Sequence, residues 1–544
     1  MYADLLFTGG PVLTPEGPAA AAVAVTGERI TAVGSAGELR ELAGPRTEVV
    51  DLAGRLLLPG FQDAHVHPVP AGLELAQCDL TGLRTAEETV AAVRAFAGAH
   101  PERDWILGGG WSMEAFEGGT PTKELLDAVV PDRPVYLPNR DHHGAWVNSR
   151  ALELAGIGRD TPDPADGRID RDASGAPSGT LQEGAMQLVG RLAPPAAPAD
   201  RLAALLHAQR HLHALGITAW QDALVGGFLG MDDPSEAYLT AAREGSLTAR
   251  VVGALWWDRE RGAEQIPELM EKRAALSHGR FRAGTVKLML DGVAENGTAA
   301  LLEPYLDKCG CATRNRGKSF LDPRQLPAYV VELDALGFQC HFHALGDRAV
   351  RDALDAVEAA RAANGPSDTR PHLAHLQVVH PADIPRFARL GATATIQALW
   401  AAHEPQMDEL TIPFLGPERA GRQYPFGSLL RSGARLAGGS DWPVSSPDPL
   451  QGIHVAVNRV EPGGDAPVFL PGERLGLGDA IRAYTAGSAY VNHLDDTGRV
   501  AVGALADLVV LDRDPFTGPP EHIADTQVAH TYVGGARVYS AGEA

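Results

Sequence analysis

The stretch GFQDAHVHP, residues 60–68, follows an apolar run at residues 56–58 and carries Asp63, His65 and His67 at alternate positions. In a β-strand, side chains two residues apart lie on the same face, so two imidazoles at the end of a strand can converge on one point. Convergent imidazoles are typical of a metal-binding site. The stretch therefore predicts a buried strand that ends in a metal chelate.

The composition narrows the class of partner. The chain has 544 residues, of which 44% are hydrophobic, and a formal net charge of −22. Nucleic acids and anionic membranes require clustered Lys and Arg, so the acidic balance argues against both and favours a small-molecule substrate. We find neither a signal peptide nor an apolar run long enough to cross a bilayer, and we therefore expect a cytoplasmic location.

Both ends of the chain have the pattern of short antiparallel strands. Apolar and polar residues alternate between Gly and Pro turns up to about residue 58, and the same pattern returns from about residue 498. Each segment is too short to fold alone. We therefore predict that residues 1–58 and 498–544 pair into one small composite β domain.

The middle of the chain, residues 59–497, has the βα rhythm of a parallel sheet. A closed parallel barrel needs eight strands. Two of the ten strand candidates fall in a long interval at about 70–212. We interpret this interval as an insertion between strands 1 and 2. The remaining eight strands predict a (β/α)8 TIM barrel. The ten candidates lie near Phe61, Trp105, Val135, Ile217, Val251, Val286, Gln339, Leu373, Thr393 and Leu436.

Polar residues stand at the ends of several predicted strands. In a TIM barrel the carboxyl ends of the strands face the active site, so these side chains should meet although the sequence scatters them. Imidazole and carboxylate ligands without a thiolate suit zinc or another borderline divalent ion. The residues are His65 and His67 on strand 1, Lys287 on strand 4, His341 and His343 on strand 5, His375 on strand 6 and Asp441 on strand 8.

Several of these residues have a second interpretation. A lone histidine such as His375 is often an ordinary polar residue with a hydrogen-bond partner. A buried Lys287 can form an ion pair with Asp291, or its amine can be carboxylated by CO2 and bridge two metal ions. His207 and His211 share one face of a predicted helix that also carries His213, but the helix lacks the glutamate of the zinc-protease motif, and we interpret all three as surface residues.

These residues lie in a chain of motifs that resembles the metal-dependent amidohydrolase superfamily, and within it the YtcJ-like branch that includes N-substituted formamide deformylase. The resemblance runs nearly end to end. It implies an α/β fold with a distorted (β/α)8 barrel and a β-sandwich made from both termini. The motifs are LPGFQDAHVHP, DHHGAWVNSRALELAGI, VKLMLDGVAENGTA, HFHALGDRAV, HLQVVHPADIPRFARLGATATIQ, GGSDWPVSSPDPLQGIH and ALADLVVLDRDPF.

The resemblance also implies roles for individual residues. His343 is preferred to His341 because the family motif places its ligand directly before Ala-Leu-Gly-Asp. His143 matches a histidine near the substrate, although His142 replaces the glycine that precedes it in the branch. The implied metal ligands are His65, His67, Lys287 as the bridging residue, His343, His375 and Asp441, which hold one or two divalent ions, with zinc expected.

The expected reaction is metal-assisted hydrolysis of an amide-type C–N bond. Asp441 would move the proton, His143 would donate to the oxyanion, Trp111 would line the substrate pocket, and Asp63 would orient a ligand histidine. The motif DGVAENGTA resembles the deformylase subgroup and favours a linear amide such as an N-substituted formamide. Deamination, cyclic imide hydrolysis and a non-catalytic binding role remain alternatives. A homodimer is only a generic expectation.

Overall fold

Eight short and largely buried apolar segments form the barrel, because a parallel sheet covered on both faces needs apolar residues at most positions. The computed structural model describes residues 2–20, 22–227 and 232–542. The predicted eight-stranded parallel barrel is confirmed. We number its strands β1 to β8 in chain order: Phe61–Val66, Ile217–Val225, Arg250–Trp256, Phe281–Met289, Gln339–Ala344, His372–His375, Thr393–Ile396 and Arg435–Gly438.

The barrel is distorted at its seam. Neighbouring strands pair in chain order, but among the described strands β8 forms no ladder with β1. The seam closes instead through the turn after β8, where the Asp441 N–H donates to the His65 carbonyl at 2.7 Å. This closure places Asp441 directly beside the end of β1.

Helices follow the strands, as βαβ units require. In the helix Asp347–Asn364, the buried residues recur at helical spacing, for example at Ala349, Val350, Ala353 and Leu354. The other long helices are Ala86–Ala99, Pro198–Ala214, Ser235–Glu244, Ile266–Ala275, Leu326–Ala335 and Pro449–Asn458. Shorter helices include Ala36–Leu39, Pro68–Glu74, Lys123–Asp127, Ser149–Leu154, Gln187–Gly190, Ile384–Leu390, Ile412–Leu415, Pro417–Ala420, Phe426–Arg431, Leu477–Arg482 and Ser488–Val491.

The two extra strand candidates lie outside the barrel. They belong to a separate six-stranded sheet, in which Ile106 and Val135 are partners in a parallel pair. This sheet brings the segment around His143 to the barrel. In spatial order its strands are Gly167–Arg171, Pro177–Glu183, Gly144–Val147, Val135–Pro138, Ile106–Gly109 and Cys78–Asp79.

Strands from both ends of the chain share a sheet, since Val509 pairs with Leu58. Phe7 and Tyr532 pack edge to face at 5.1 Å in the core between this sheet and a second one.

The predicted boundaries at 58 and 498 stay a prediction, and residues 1, 21, 543 and 544 lie outside the described chain. The sheets contain Leu5–Thr8, Ala22–Thr26, Arg29–Gly34 and Glu48–Asp51, and Pro11–Thr14, Gly17–Ala20, Leu57–Pro59, Leu508–Leu511, Val528–Val533 and Ala536–Ser540.

In residues 2–20, 22–227 and 232–542, no helix combines the length and the apolar composition needed to cross a bilayer.

Candidate metal centre

Two histidines from the end of β1 and one carboxylate from the turn after β8 form the centre of the site. Asp441 Oδ1 lies 3.0 Å from His65 Nε2 and 3.1 Å from His67 Nε2. One ligand atom from each of the three residues falls within 4.8 Å of the other two. The alternation of residues in GFQDAHVHP thus brings both imidazoles to one carboxylate.

The backbone around these residues is tightly fixed. A Cβ at Gly439 would lie 2.9 Å from His65 Cβ, so glycine is required for β8 to approach β1 this closely. Asp63 accepts the N–H groups of His65 at 2.9 Å and of Ser440 at 3.1 Å. The role of Asp63 in orienting a ligand histidine stays a prediction. Its carboxylate holds the peptide groups beside His65 and Asp441, and burial raises its pKa to about 7.

His343 and His375 complete the ring of histidines from β5 and β6. Their ring centroids are 4.4 Å apart, and the His375 ring lies 4.8 Å from that of His65. Trp400 stacks parallel to His375 at 5.4 Å. His375 and Asp441 have φ values of +82° and +58°, a left-handed conformation that is costly for these residues and often found at functional sites.

The hydrogen bonding of these histidines fits a bound metal ion. In the described part of the chain, four buried nitrogens of His67, His343 and His375 have no hydrogen-bond partner: His67 Nδ1, His343 Nε2, and Nδ1 and Nε2 of His375. An unpartnered buried polar atom costs roughly 1–3 kcal/mol. Burial also lowers the pKa of His343 and His375 well below the usual range, which keeps their nitrogen lone pairs free. These imidazole nitrogens, together with the Asp441 carboxylate, therefore suit a borderline divalent ion such as zinc as metal ligands.

Lys287 lies on β4 inside this ring. Its Nζ is 3.4 Å from His65 Nε2, and burial lowers its pKa to about 7. The described residues show no ion pair between Lys287 and Asp291, whose oxygens accept backbone N–H groups of Ala300, Leu345 and Gly346. An amine with this pKa is partly neutral at pH 7, which is the form that reacts with CO2.

Asp441 supplies the carboxylate that adjoins His65 and His67. Burial alone would raise the pKa of Asp441, but the adjoining imidazoles of His65 and His67 lower it well below the usual range. Asp441 is therefore ionised at neutral pH and can accept a proton or bind a cation.

His143 enters the site from the insertion sheet. Its Nδ1 lies 3.0 Å from both oxygens of Glu183, and its ring lies 5.3 Å from that of His343. Glu183 is fully buried and also accepts the hydroxyl of Thr298 at 2.6 Å. Burial alone would lower the pKa of His143, but the Glu183 carboxylate raises it to about 9. Glu183 is not predictable as a site residue, because no motif or periodicity connects it to His143.

Two other predictions need correction. Trp111 is 1% exposed, donates its Nε1–H to the Leu137 carbonyl at 2.8 Å and packs against Phe116 and Trp146. It lies in the core of the insertion, so its predicted substrate contact has no support in this structure. His207 and His211 are exposed as predicted, but the prediction is wrong for His213 on the same helix, which is buried with Nδ1 2.9 Å from the Ile217 carbonyl and Nε2 2.8 Å from the Thr248 hydroxyl.

A cavity of about 450 Å³ lies beside the segment that follows His67, and among the described residues its lining includes none of the candidate metal ligands. The helix Pro68–Glu74, which begins directly after His67, forms one wall and contributes Leu73. Tyr136 and Met186 of the insertion contribute further apolar surface. The polar wall residues Glu74 and His142 approach each other at 3.3 Å.

Comparisons with known proteins give a consistent assignment. The sequence matches the Amidohydrolase family over residues 48–539. It is 33% identical to Protein LONG AFTER FAR-RED 3 of Arabidopsis thaliana, covering 99% of this chain and 92% of that one. It is 32% identical to Putative amidohydrolase YtcJ of Bacillus subtilis (98% and 99% covered) and 30% identical to N-substituted formamide deformylase of Arthrobacter pascens (98% of both).

A solved structure agrees with these relatives. The fold is similar to that of an uncharacterized metal-dependent hydrolase from Pyrococcus furiosus, with a TM-score of 0.71, 27% identity and coverage of 94% of this chain and 100% of that chain. The family match spans most of the chain and includes the barrel and its histidine ring. The chain therefore belongs to the amidohydrolase family and is a hydrolase of carbon–nitrogen bonds other than peptide bonds.

Proposed function

We propose that this enzyme uses a divalent metal ion, with zinc expected, to hydrolyse a linear amide of the N-substituted formamide class. The observation that carries the metal assignment is the set of four unpartnered imidazole nitrogens on His67, His343 and His375 around Asp441. The deformylase relative, 30% identical over 98% of both chains, supports the amide class.

His65, His67, His343, His375 and Asp441 would hold the ion, with Lys287 as a bridging ligand if it is carboxylated. When bound, a divalent ion lowers the pKa of a water molecule toward neutrality and polarises the substrate carbonyl. Asp441 accepts the proton of the attacking water and delivers it to the leaving nitrogen. A carboxylate that is ionised and buried beside the reacting atoms suits both steps.

His143 would stabilise the negative charge that develops on the substrate oxygen. Its Nδ1–H donates to Glu183, which leaves the Nε2–H of the imidazolium free to donate to substrate. The Glu183 carboxylate keeps this imidazole protonated at neutral pH, because the pKa of His143 is about 9. A fixed donor of this kind acts most strongly on charge that appears in the transition state.

The cavity beside the helix Pro68–Glu74 has room for a bulky apolar substituent on the substrate nitrogen. Its volume of about 450 Å³ lies within the range of roughly 300–1,000 Å³ typical of small-molecule sites. Since the carbonyl carbon of a formamide carries only a hydrogen, the volume is available to the substituent on the nitrogen. Glu74 Oε1 and His142 Nε2 lie 3.3 Å apart in this wall, which also carries Arg191 and Asp232.

The proposed function is tested by metal content and amide hydrolysis in the same preparation. We expect about one to two equivalents of zinc per chain and release of amine from N-benzylformamide, both lost after chelation. A cyclic imide and an aminated heterocycle serve as comparison substrates. Turnover of only a comparison substrate would contradict the amide assignment, and a protein that binds no divalent ion would contradict the metal site.

Filling the cavity should change substrate preference. In Leu73→Trp, kcat/KM for N-benzylformamide should fall by about tenfold or more, because the indole occupies space needed by the benzyl group. N-methylformamide should be little affected. Leu73→Met conserves volume and is the matched control. Equal losses with both substrates would show that the cavity does not hold the substituent.

A further inference from the structure

The interior of the barrel below the metal centre is unusually polar. Barrel interiors are mainly filled by bulky branched apolar side chains. Here buried polar residues form a continuous set of hydrogen bonds that ends at His65. The set includes Gln221 on β2, Thr285 on β4, Gln339 and His341 on β5, His372 on β6 and Thr395 on β7.

The orientation of one amide fixes the direction of all these hydrogen bonds. Gln339 Nε2 lies 2.8 Å from the backbone carbonyls of Arg370 and Val491. Carbonyl oxygens only accept hydrogen bonds, so the Gln339 amide cannot be reversed. Its Oε1 therefore faces Gln221, whose Nε2 lies 3.1 Å away and must be the donor.

The amide oxygen of Gln221 then faces two imidazoles. Gln221 Oε1 lies 2.7 Å from His341 Nδ1 and 3.0 Å from His372 Nε2. Because this oxygen only accepts, both nitrogens must carry a proton. His372 Nδ1 is thereby left to accept the hydroxyl of Thr395 at 2.8 Å.

The tautomer of His341 determines that of His65. In the described chain no carboxylate lies within ion-pair distance of His341, and a buried imidazolium without a counter-charge is costly. His341 is therefore neutral with its proton on Nδ1, and its Nε2 accepts. The partner of that Nε2 is His65 Nδ1 at 2.9 Å, which must carry the proton.

The outcome is that His65 Nε2 is free of a proton. It faces Asp441 Oδ1 at 3.0 Å, so two acceptors meet with no proton between them, an arrangement that a cation stabilises. Lys287 Nζ, a donor, lies 3.4 Å from the same nitrogen. We propose that Gln339, Gln221 and His341 are positioning residues that fix the tautomer of His65 and present its Nε2 lone pair to the metal ion. This inference rests on the proposed metal site.

The test compares zinc affinity, measured by competition with a chromophoric chelator, among single variants. His341→Leu should bind zinc about 10–100-fold more weakly, as is typical when a partner of a ligand histidine is removed. His341→Gln retains one acceptor for His65 and one donor for Gln221, and it should restore affinity to within about threefold. Thr395→Val removes a hydroxyl beyond the Gln221 branch point and should also stay within about threefold.

Each outcome separates this inference from the metal assignment. Wild-type protein that binds no zinc would overturn the proposed metal site itself. If wild-type protein binds zinc, an unchanged zinc affinity in His341→Leu would overturn the positioning role. A zinc affinity of His341→Gln as low as that of His341→Leu would also overturn it. If His341→Leu does not fold, Gln221→Met removes the acceptor for His341 at similar volume. Affinity about tenfold weaker than wild type supports the inference, and unchanged affinity refutes it.

Discussion

Replacing Asp441 by asparagine is expected to lower kcat by about 1,000-fold while the protein stays folded, because general acid–base catalysis contributes roughly 10²–10⁴-fold. The asparagine side chain keeps the size and planar shape of aspartate beside His65 Nε2 and His67 Nε2, which lie 3.0 and 3.1 Å from Oδ1 of Asp441. It cannot accept the proton of the attacking water. The measurement is steady-state amine release at saturating zinc, with zinc content determined in the same samples.

A matched substitution separates chemistry from general damage. Asp448 follows Asp441 in the same loop and caps the helix Pro449–Asn458, accepting the Leu450 N–H at 2.9 Å. Asparagine is as good an N-cap as aspartate, so Asp448→Asn should retain near-normal kcat. Near-normal kcat in Asp441→Asn with zinc bound would refute the proton-transfer role of Asp441.

The fold was predictable because its signals are local. Each barrel strand is a short apolar run between turns, and the count of eight followed once the strands near Trp105 and Val135 were set aside. The distorted seam was not predictable from apolar periodicity. It depends on the close approach of Gly439 to His65, which is a tertiary contact.

The candidate ligands were predictable for a related reason. The carboxyl ends of parallel strands meet at one end of a barrel, so position on a strand is enough to predict that His65, His343 and His375 converge. Their unpartnered nitrogens and the φ values of His375 and Asp441 are properties of the folded chain.

The supporting residues were not predictable from the sequence. Glu183 lies 40 residues from His143 and adopts a φ of +54°, which no local pattern indicates. Gln221 and Gln339 are ordinary polar residues in sequence, and their role depends on which backbone carbonyls they meet. Trp111 shows the opposite error, since an aromatic residue near a Gly-rich segment proved to be a packing residue.

Replacing Glu183 by glutamine is expected to lower kcat by about 100-fold at pH 8, within the effect typical of losing one oxyanion donor. The amide still accepts the Nδ1–H of His143, but it no longer supplies the charge that raises the pKa of His143 to about 9. Since a raised pKa keeps the imidazole protonated below that value, its loss shifts deprotonation to lower pH. The pH dependence of kcat should therefore show activity lost at a lower pH than in wild type.

The sign of this shift makes the prediction specific. At pH 6 a larger fraction of the variant retains its imidazolium, so the difference from wild type should be smaller than at pH 8. Glu153, an exposed residue of the insertion paired with Arg150, provides the control, and Glu153→Gln should leave both kcat and its pH dependence unchanged. A deficit in Glu183→Gln that is constant between pH 6 and pH 8 would mean that Glu183 supports the shape of the site and not the charge of His143.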